Sequence, residues 1–230
     1  MKINLIIGGG QLGSRHLQGL LKSNQEQNIY VLDPSNTSLE VSRERAYEIS
    51  HSHSLNFISD WDKLPKEFDL VIVATGANVR EKVVTQLLEG FEVSNLVLEK
   101  VLFQNLESYD KIALLLEKTN TPAWVNHSRR MLDHFQQIKK IISESGEQIT
   151  FHVVGSNWGL ACNALHCIDL CYFLSDSALE KIDMDWIDPI VHKSKRLSYI
   201  EFTGTVKGRM KDDSSFMITS LDGEFSDDTI

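Results

Sequence analysis

A glycine-rich stretch at residues 8–13 limits the choice of fold more than any other part of the sequence. It has the spacing Gly-x-Gly-x-x-Gly, follows an apolar run at residues 3–7, and precedes a helical pattern of leucines. In a strand–turn–helix unit, Gly8 makes the tight turn, Gly10 lets the backbone approach a pyrophosphate, and Gly13 lets the helix pack closely on the strand. The unpaired N–H groups at the helix start then favour an anion. The stretch therefore predicts a dinucleotide-binding loop.

A carboxylate after the second apolar run supports this prediction. The run at residues 29–32 ends in Asp33, which lies about 20 residues beyond Gly13, the distance expected of a carboxylate that binds the adenosine ribose. A glycine loop followed by a helix-capping Asp is the alternative interpretation. A carboxylate at this place repels a 2′-phosphate, and residues 34–36 include no Arg to offset it. We therefore expect NAD rather than NADP as the cofactor.

Alternating apolar runs and helical patterns in the first half predict a doubly wound parallel sheet. Further strands are expected at residues 57–58, 69–74, 95–99 and 122–125, and helices at residues 36–49, 78–88 and 106–118. Ligands of such sheets bind beyond the carboxyl ends of the strands. Thr75, Gly76, Glu99 and Lys100 follow two of these strands, so we expect them on the same rim as Asp33 and the glycine loop.

The pattern changes in the second half of the chain. An amphipathic helix at residues 131–142, a strand at 149–154 and a helix at 164–174 precede strands at 186–191, 199–207 and 215–221 without helices between them. Consecutive strands without crossovers favour an antiparallel sheet. The predicted fold is α/β: a Rossmann domain at residues 1–122, and a C-terminal α+β domain with a mainly antiparallel sheet at residues 123–230.

Composition limits the classes of partner. The net charge is −9 and the basic residues are scattered, which argues against a nucleic acid or an anionic membrane surface and favours a small molecule. No apolar run approaches the roughly 18 residues of a membrane span, and no signal-peptide pattern precedes the first strand, so a cytoplasmic location is expected. Cys162, Cys167 and Cys171 fall on one predicted helix, where we expect reduced, buried thiols and no metal.

Several motifs resemble the glucose-fructose oxidoreductase and inositol dehydrogenase family, often written Gfo/Idh/MocA. They are GGGQLGSRH at residues 8–16, ATG at 74–76, Glu99-Lys100, residues 126–130 and HCID at 166–169. The resemblance runs nearly end to end. It implies a nicotinamide dinucleotide on the first domain and a sugar, polyol or related substrate on the sheet of the second. The implied cofactor contacts are Gly8, Gly10, Gln11, Leu12, Gly13, Arg15, Asp33, Thr75, Gly76, Glu99 and Lys100.

The resemblance also implies that Lys100 and His166 are catalytic. Hydride transfer from a carbinol carbon is easy only if the hydroxyl proton leaves in step. His166 is expected to carry that proton, because an ordinary imidazole titrates near neutrality. Lys100 is expected to stabilise the developing alkoxide. The alternatives are a solvated strand-end Lys and a core His. Substrate contacts are expected from Asn126, Arg130, Asn163 and His166, although Arg129 and Arg130 could equally cap and solvate the helix.

Three positions depart from the family pattern. Val101 replaces a Pro, which makes the backbone that presents Lys100 less firmly defined. Cys162 replaces an Asp, and a thiol substitutes for a carboxylate only when it ionises, so we expect Asn163 to take over some of its hydrogen bonding. Arg80 replaces a His found in many relatives. The first hypothesis is a dehydrogenase or reductase. Because of these departures, a non-catalytic dinucleotide-binding protein that acts through a partner is the second hypothesis. Redox-assisted elimination is the third.

A homodimer is expected through the second sheet. Relatives of the family continue beyond residue 230, so the sheet should be short, with a face and an edge left uncovered. Tyr199, Glu201, Thr203 and Thr205 are expected on one face, with Ile200, Phe202 and Val206 on the other. Symmetric dimers are the commonest cover for such surfaces. The interface is expected within residues 183–225, with the acidic residues 222–228 at its rim or disordered.

Overall fold

The computed structural model describes residues 1–194 and 199–223. The chain divides into two compact units, residues 1–126 and residues 127–230. Each unit has a sheet and a buried core of its own.

The first unit alternates strands and helices. The strands are β1 (Lys2–Ile7), β2 (Gln27–Leu32), β3 (Ser54–Ile58), β4 (Glu67–Phe68), β5 (Leu70–Val73), β6 (Glu92–Val93), β7 (Leu96–Leu98) and β8 (Ala123–Val125). The helices are α1 (Gln11–Leu21), α2 (Asn36–Tyr47), α3 (Ala77–Gly90) and α4 (Leu106–Thr119). The main sheet is parallel, in the order β3-β2-β1-β5-β7-β8, while β4 and β6 form a separate parallel pair.

Strand β1 contributes side chains to a core on each face of the main sheet. Leu5 packs in the cluster that contains Leu87 of α3, whereas Ile6 packs in the cluster that contains Leu17 of α1 and Leu39 of α2. This division follows from the strand period, because successive side chains point to opposite faces. Helices cover both faces, so the predicted doubly wound sheet is confirmed. The carboxyl ends of β1, β2, β5 and β7 all lie at one edge.

The second unit is built on a four-stranded sheet. Its elements are α5 (Asp133–Ser145), β9 (Thr150–Ser156), α6 (Leu160–Ser175), β10 (Leu179–Ile187), β11 (His192–Lys193), β12 (Ile200–Glu201), β13 (Gly204–Met210) and β14 (Ser215–Leu221). The sheet has the order β10-β13-β14-β9, with the β14–β9 pair parallel and the others antiparallel, so the mainly antiparallel sheet is confirmed. β11 and β12 form a separate antiparallel pair.

Two of the expected strands are wrong in their limits. The strand predicted at residues 186–191 is β10, which begins at Leu179 and ends at Ile187. β10 lies at the edge of the described sheet, where charged side chains are tolerated and the apolar alternation is weak. The strand predicted at residues 199–207 is interrupted at residues 202–203, between β12 and β13. Gly204, where β13 begins, has a φ of +107°, and a Cβ there would lie 2.4 Å from the carbonyl oxygen of Trp186. Ile200 is 54% exposed, so it does not share a buried face with Val206.

Helix α6 covers one face of the second sheet. Leu160, Cys167 and Cys171 of α6 form a buried cluster with apolar side chains of β13 and β14. Burial raises the pKa of the Cys171 thiol to about 11, so this cysteine packs as a small uncharged side chain. Of the predicted dimer region, residues 195–198 and 224–225 lie outside the described residues, as do 224–228 of the acidic tail. None of the helices in the described ranges is both long and apolar enough to cross a bilayer.

Candidate functional site

The glycine loop between β1 and α1 has the tight geometry that its spacing predicts. Gly8 has a φ of +99°, and its N–H donates to the carbonyl of Leu32 at 2.8 Å. A Cβ on Gly13 would lie 1.7 Å from the carbonyl oxygen of Gly8, so only glycine allows α1 to approach the turn this closely. The turn geometry therefore requires a glycine at position 8, and the close packing of α1 requires one at position 13.

Asp33, at the end of β2, faces the glycine loop. Its Oδ2 accepts a hydrogen bond from the N–H of Gly9 at 2.8 Å, and its Oδ1 accepts from the N–H of Ser35 at 2.8 Å. A carboxylate has about four lone-pair sites, so each oxygen retains an acceptor site. The structure therefore places an ionisable acceptor beside the loop, as ribose binding requires.

The start of α1 fits a dinucleotide phosphate. Gly10 is the N-cap residue, and no side chain among the described residues caps the helix there. A Cβ at Gly10 would meet only Ser38 Oγ, at 4.0 Å, so packing of the described chain does not require this glycine. Its missing side chain keeps the approach to the first N–H groups open. Leu12, in the first turn, is 40% exposed.

Arg45 on α2 is a contact of this loop that the sequence did not reveal. Its Nη1 donates to the carbonyl of Gln11 at 2.7 Å and to Ser14 Oγ at 2.6 Å, and its Nη2 donates to the side chain of Gln11. Gln11 is thus held by α2, whereas the exposed Arg15 bonds to Gln18 at 2.9 Å on its own helix. Because Arg45 lies 34 residues from Gln11, no local pattern could have indicated this contact.

Glu99, after β7, is the centre of a buried polar group. Its Oε1 lies 2.6 Å from His16 Nε2 on α1 and accepts a hydrogen bond from Asn126 Nδ2 at 2.7 Å. Burial opposes ionisation of this carboxyl, but the hydrogen bonds from His16 and Asn126, with the charges of His16 and Arg80, hold its pKa below the ordinary value. Two predicted site residues, Glu99 and Asn126, are therefore brought together. His16, which precedes Glu99 by 83 positions in the sequence, is the third member of this group.

Arg80 on α3 connects the ends of two strands. The side chain is 2% exposed and donates hydrogen bonds to the carbonyls of Thr75, Val101 and Leu102, the last at 2.9 Å. It therefore joins the segment after β5 to the segment that follows Lys100. The peptide bond between Lys100 and Val101 is cis. Gly76 is the N-cap residue of α3.

The second unit holds Arg130 and His166 in one polar group. Arg130 binds the carboxylate of Asp169 through two guanidinium nitrogens, with Nε at 2.7 Å from Oδ2. These hydrogen bonds raise the pKa of Arg130. His127 lies beside both His166 and Asp169: its Nδ1 is 3.3 Å from His166 Nδ1 and 3.8 Å from Asp169 Oδ2. Arg129, the other arginine, donates to Cys167 Sγ at 3.4 Å.

Asn163 has a structural role at the start of α6. Its Nδ2 donates to the carbonyls of Trp158 at 2.7 Å and Gly159 at 3.2 Å. With Cys162, Asn163 lines a cavity of about 690 Å³. The carboxylate of Glu201 lines the same cavity and accepts a hydrogen bond from the N–H of Ala161 at 2.8 Å. A carboxylate from β12 is thus present at the helix start, where Cys162 supplies none.

Comparison with known proteins agrees with this geometry. The model of an oxidoreductase family with an NAD-binding Rossmann fold, GFO_IDH_MocA, matches residues 3–127. A search of curated proteins finds no match.

Three solved structures share the fold over nearly the whole chain. One is an NAD-binding protein from Listeria innocua, with a TM-score of 0.72 and 18% identity, covering 98% of this chain and 68% of that one. The second is myo-inositol dehydrogenase from Lactobacillus casei in complex with NAD(H) and myo-inositol, with a TM-score of 0.73 and 17% identity, covering 96% of this chain and 67% of that one. The third is a super-repressor mutant of Gal80p from Saccharomyces cerevisiae, with a TM-score of 0.74 and 14% identity, covering 98% of this chain and 69% of that one. At these identities the likeness shows the fold alone. Because the family model covers more than half of the sequence, this chain belongs to the Gfo/Idh/MocA oxidoreductase family, and its first unit is an NAD-binding Rossmann domain.

Proposed function

We propose that this protein is an NAD-dependent dehydrogenase or reductase of a sugar, a polyol or a nucleotide-sugar-like substrate. The observation that carries the proposal is the buried Glu99, which His16 and Asn126 hold directly before Lys100. Strand β7 ends here, at the same edge of the sheet as the glycine loop and Asp33. A carboxylate held by hydrogen bonds beside a dinucleotide-binding loop is more typical of a catalytic lysine than of a lysine that is merely solvated.

The proposed chemistry is hydride transfer at a carbinol or carbonyl carbon. Bound NAD supplies the hydride acceptor, or the donor in the reverse direction. Lys100 Nζ donates a hydrogen bond to the reacting oxygen and stabilises its developing negative charge. His166 Nε2 takes the hydroxyl proton and returns it in the reverse reaction. Asn126, Arg130 and Asn163 remain the proposed substrate contacts.

The cavity of the second unit supports a polyhydroxylated substrate. Its volume of about 690 Å³ lies within the range of small-molecule sites, roughly 300–1,000 Å³. Trp158 offers an apolar surface, and Asn163, His192 and Glu201 offer hydrogen-bonding groups, a mixture that suits a sugar ring.

We also propose that the protein forms a homodimer through the second sheet. We further propose a cytoplasmic location, because buried free thiols such as that of Cys167 suit it.

The proposal is tested by purifying the full chain and identifying any nucleotide released on denaturation. NAD is then added with a panel of sugars, polyols and nucleotide sugars, while the absorbance of the reduced nicotinamide is followed. We expect NAD binding and turnover of at least one member of the panel. Binding of NAD without turnover of any member would contradict the enzyme proposal.

A non-catalytic role is the second candidate. Two observations favour it: Cys162 occupies the family's Asp position, and the super-repressor mutant of Gal80p shares the fold. In this case NAD would change the affinity for a protein partner rather than react. An elimination assisted by tightly held NAD is a third possibility, and it would give a product without net accumulation of reduced nicotinamide.

A further inference from the structure

One face of helix α2 holds the backbone of the glycine loop. Ser42, which is buried, donates a hydrogen bond from its Oγ to the carbonyl of Gly9 at 2.6 Å. About one turn further along α2, Arg45 Nη1 donates to the carbonyl of Gln11 at 2.7 Å. Residues three apart lie on the same side of a helix, so α2 supports the loop at two successive places.

The contact with Arg45 also sets the direction of a backbone N–H group. In a trans peptide, the carbonyl of one residue and the N–H of the next point in opposite directions. Because Arg45 holds the carbonyl of Gln11, the N–H of Leu12 points away from the guanidinium. Leu12 lies in the first turn of α1, and the N–H groups of the first turn of a helix are those that bind an anion.

Arg45 places a positive charge beside this first turn. Its guanidinium bonds to neutral groups only: the carbonyl and the side chain of Gln11, and Ser14 Oγ at 2.6 Å. Within the described ranges, no carboxylate forms a salt bridge with Arg45, and Asp33 binds the N–H of Gly9 instead.

The electrostatics of the α1 start therefore favour a bound anion. The first turn of α1 has no acidic residue, and the dipole end there is positive. A cation beside such an end is unfavourable by itself. A phosphate removes this repulsion, because it is attracted both by the N–H groups and by the guanidinium of Arg45.

We propose that Arg45 is a positioning residue for the phosphates of the dinucleotide, which holds the first turn of α1 and contributes its charge to phosphate binding. A guanidinium suits both tasks, because its fork of donors binds Gln11 and Ser14 at once while its charge is retained. The inference concerns binding by the NAD-binding domain and does not depend on the proposed hydride transfer.

A contact that only packs α2 against α1 is the alternative, and salt distinguishes the two. Dissolved ions weaken the attraction between exposed charges, whereas they leave a packing contact unchanged. Fluorescence titration of the full chain with NADH at about 0.05 M and about 0.5 M salt therefore tests the proposal.

At the lower salt concentration, we expect Arg45→Met to weaken NADH binding by about 5- to 30-fold, because a charge beside the phosphates is lost. At the higher concentration, the deficit should fall below about threefold. Arg45→Lys keeps the charge but loses the fork of donors. We expect its affinity to lie between those of wild type and Arg45→Met, with the salt dependence of wild type.

Arg43→Met is the matched control, because it removes the same charge from the same helix. Arg43 binds Glu40 at 2.5 Å and lies 4.8 Å from the ring centre of Phe57. Its replacement should change the affinity for NADH by less than about twofold at either salt concentration. Circular dichroism checks that each variant is folded. If Arg45→Met does not fold, Arg45→Gln replaces it, because the amide keeps a donor for Gln11 and lacks the charge.

Wild-type affinity for NADH in the uncharged Arg45 variant at low salt would overturn the proposal. A deficit of the same size at both salt concentrations would overturn it as well, because it would show a structural contact alone. A deficit that shrinks with salt supports the proposal even if no sugar reacts with wild type, in which case only the dehydrogenase proposal fails. Failure of wild type to bind NADH would refute this inference together with the expected cofactor.

Discussion

At the scale of single residues, Lys100 and His166 are proposed to carry out the chemistry, and neither belongs to the glycine loop that is predicted to hold the phosphates of the dinucleotide. We expect Lys100→Ala and His166→Ala each to lower kcat by about two to four orders of magnitude, because a general acid, base or oxyanion partner is lost. The affinity for NADH should change little. Steady-state rates and fluorescence titration measure both quantities. Lys118→Ala and His134→Ala, at exposed positions, are the controls. Near wild-type rates in both test variants would refute the assignment.

Asp33 is expected to select NAD against NADP. Its carboxylate accepts hydrogen bonds from Gly9 and Ser35 and keeps acceptor sites for the ribose diol, while its charge repels a 2′-phosphate. We expect wild type to bind NADH at least about tenfold more tightly than NADPH, which corresponds to roughly 1.4 kcal/mol. Asp33→Asn should reduce that ratio and Asp62→Asn, at an exposed site, should not. Equal affinities of wild type for the two nucleotides would show the prediction to be wrong.

Glu99 should contribute to stability in a pH-dependent way. Its pKa is lowered from 4.5 in the folded protein, so its ionised form stabilises the fold. This contribution is complete above pH 4.5 and is lost as the pH falls through the lower, folded-state pKa. We expect Glu99→Gln to reduce the free energy of unfolding at neutral pH by about 1–3 kcal/mol.

The difference between Glu99→Gln and wild type should shrink once the pH is well below 4.5. Urea unfolding at two pH values measures it. Glu67→Gln, at an exposed position, should show no comparable effect. A Glu99→Gln deficit of the same size at both pH values would argue against an ionised, stabilising Glu99.

At the scale of secondary-structure elements, two glycines of α1 provide a matched pair of tests. Gly13→Ala places a Cβ 1.7 Å from the carbonyl oxygen of Gly8, so α1 must move away from the loop. Gly19 is on the same helix, and an added Cβ there meets no described atom within 4 Å. We expect Gly13→Ala to destabilise by about 1–3 kcal/mol and to weaken NADH binding. Gly19→Ala should stabilise by roughly 0.5–1 kcal/mol.

Thermal unfolding and NADH titration of the two alanine variants distinguish a specific steric effect from a general effect of glycine replacement. Equal behaviour of Gly13→Ala and Gly19→Ala would mean that the close approach of α1 to Gly8 is not needed for binding.

At the scale of the whole molecule, the second sheet is the proposed surface of association. The edge strand β10 exposes Ile182 (41%), Met184 (57%) and Trp186 (61%), which a second copy of the chain could cover. We expect light scattering at micromolar concentration to give twice the chain mass of 26.1 kDa. Met184→Lys should shift the mass towards that of one chain, whereas Met131→Lys, at a 77% exposed site outside this strand, should not. A single-chain mass that persists as concentration rises would contradict the dimer.

Local sequence patterns determined the order of elements and the dinucleotide loop. The glycine motif lies within one strand–turn–helix unit, so it can be recognised without knowing the rest of the chain. The spacing of apolar residues likewise shows, for each strand or helix by itself, which side is apolar. The parallel sheet followed from alternation of strands and helices. Asp33 and Glu99 could be placed at one edge because the carboxyl ends of neighbouring parallel strands meet there.

Tertiary structure decided the partners of those residues. His16 reaches Glu99 across 83 positions, Arg45 reaches Gln11 across 34, and His127 reaches His166 across 39. Periodicity describes one element at a time and contains no information on which side chain of another element lies opposite. The limits of β10 and the break before Gly204 were missed for the same reason. An exposed edge strand needs no apolar alternation. The need for glycine at position 204 comes from the backbone of residues 186–188, whose nearest atoms would lie 2.4–2.8 Å from an added Cβ.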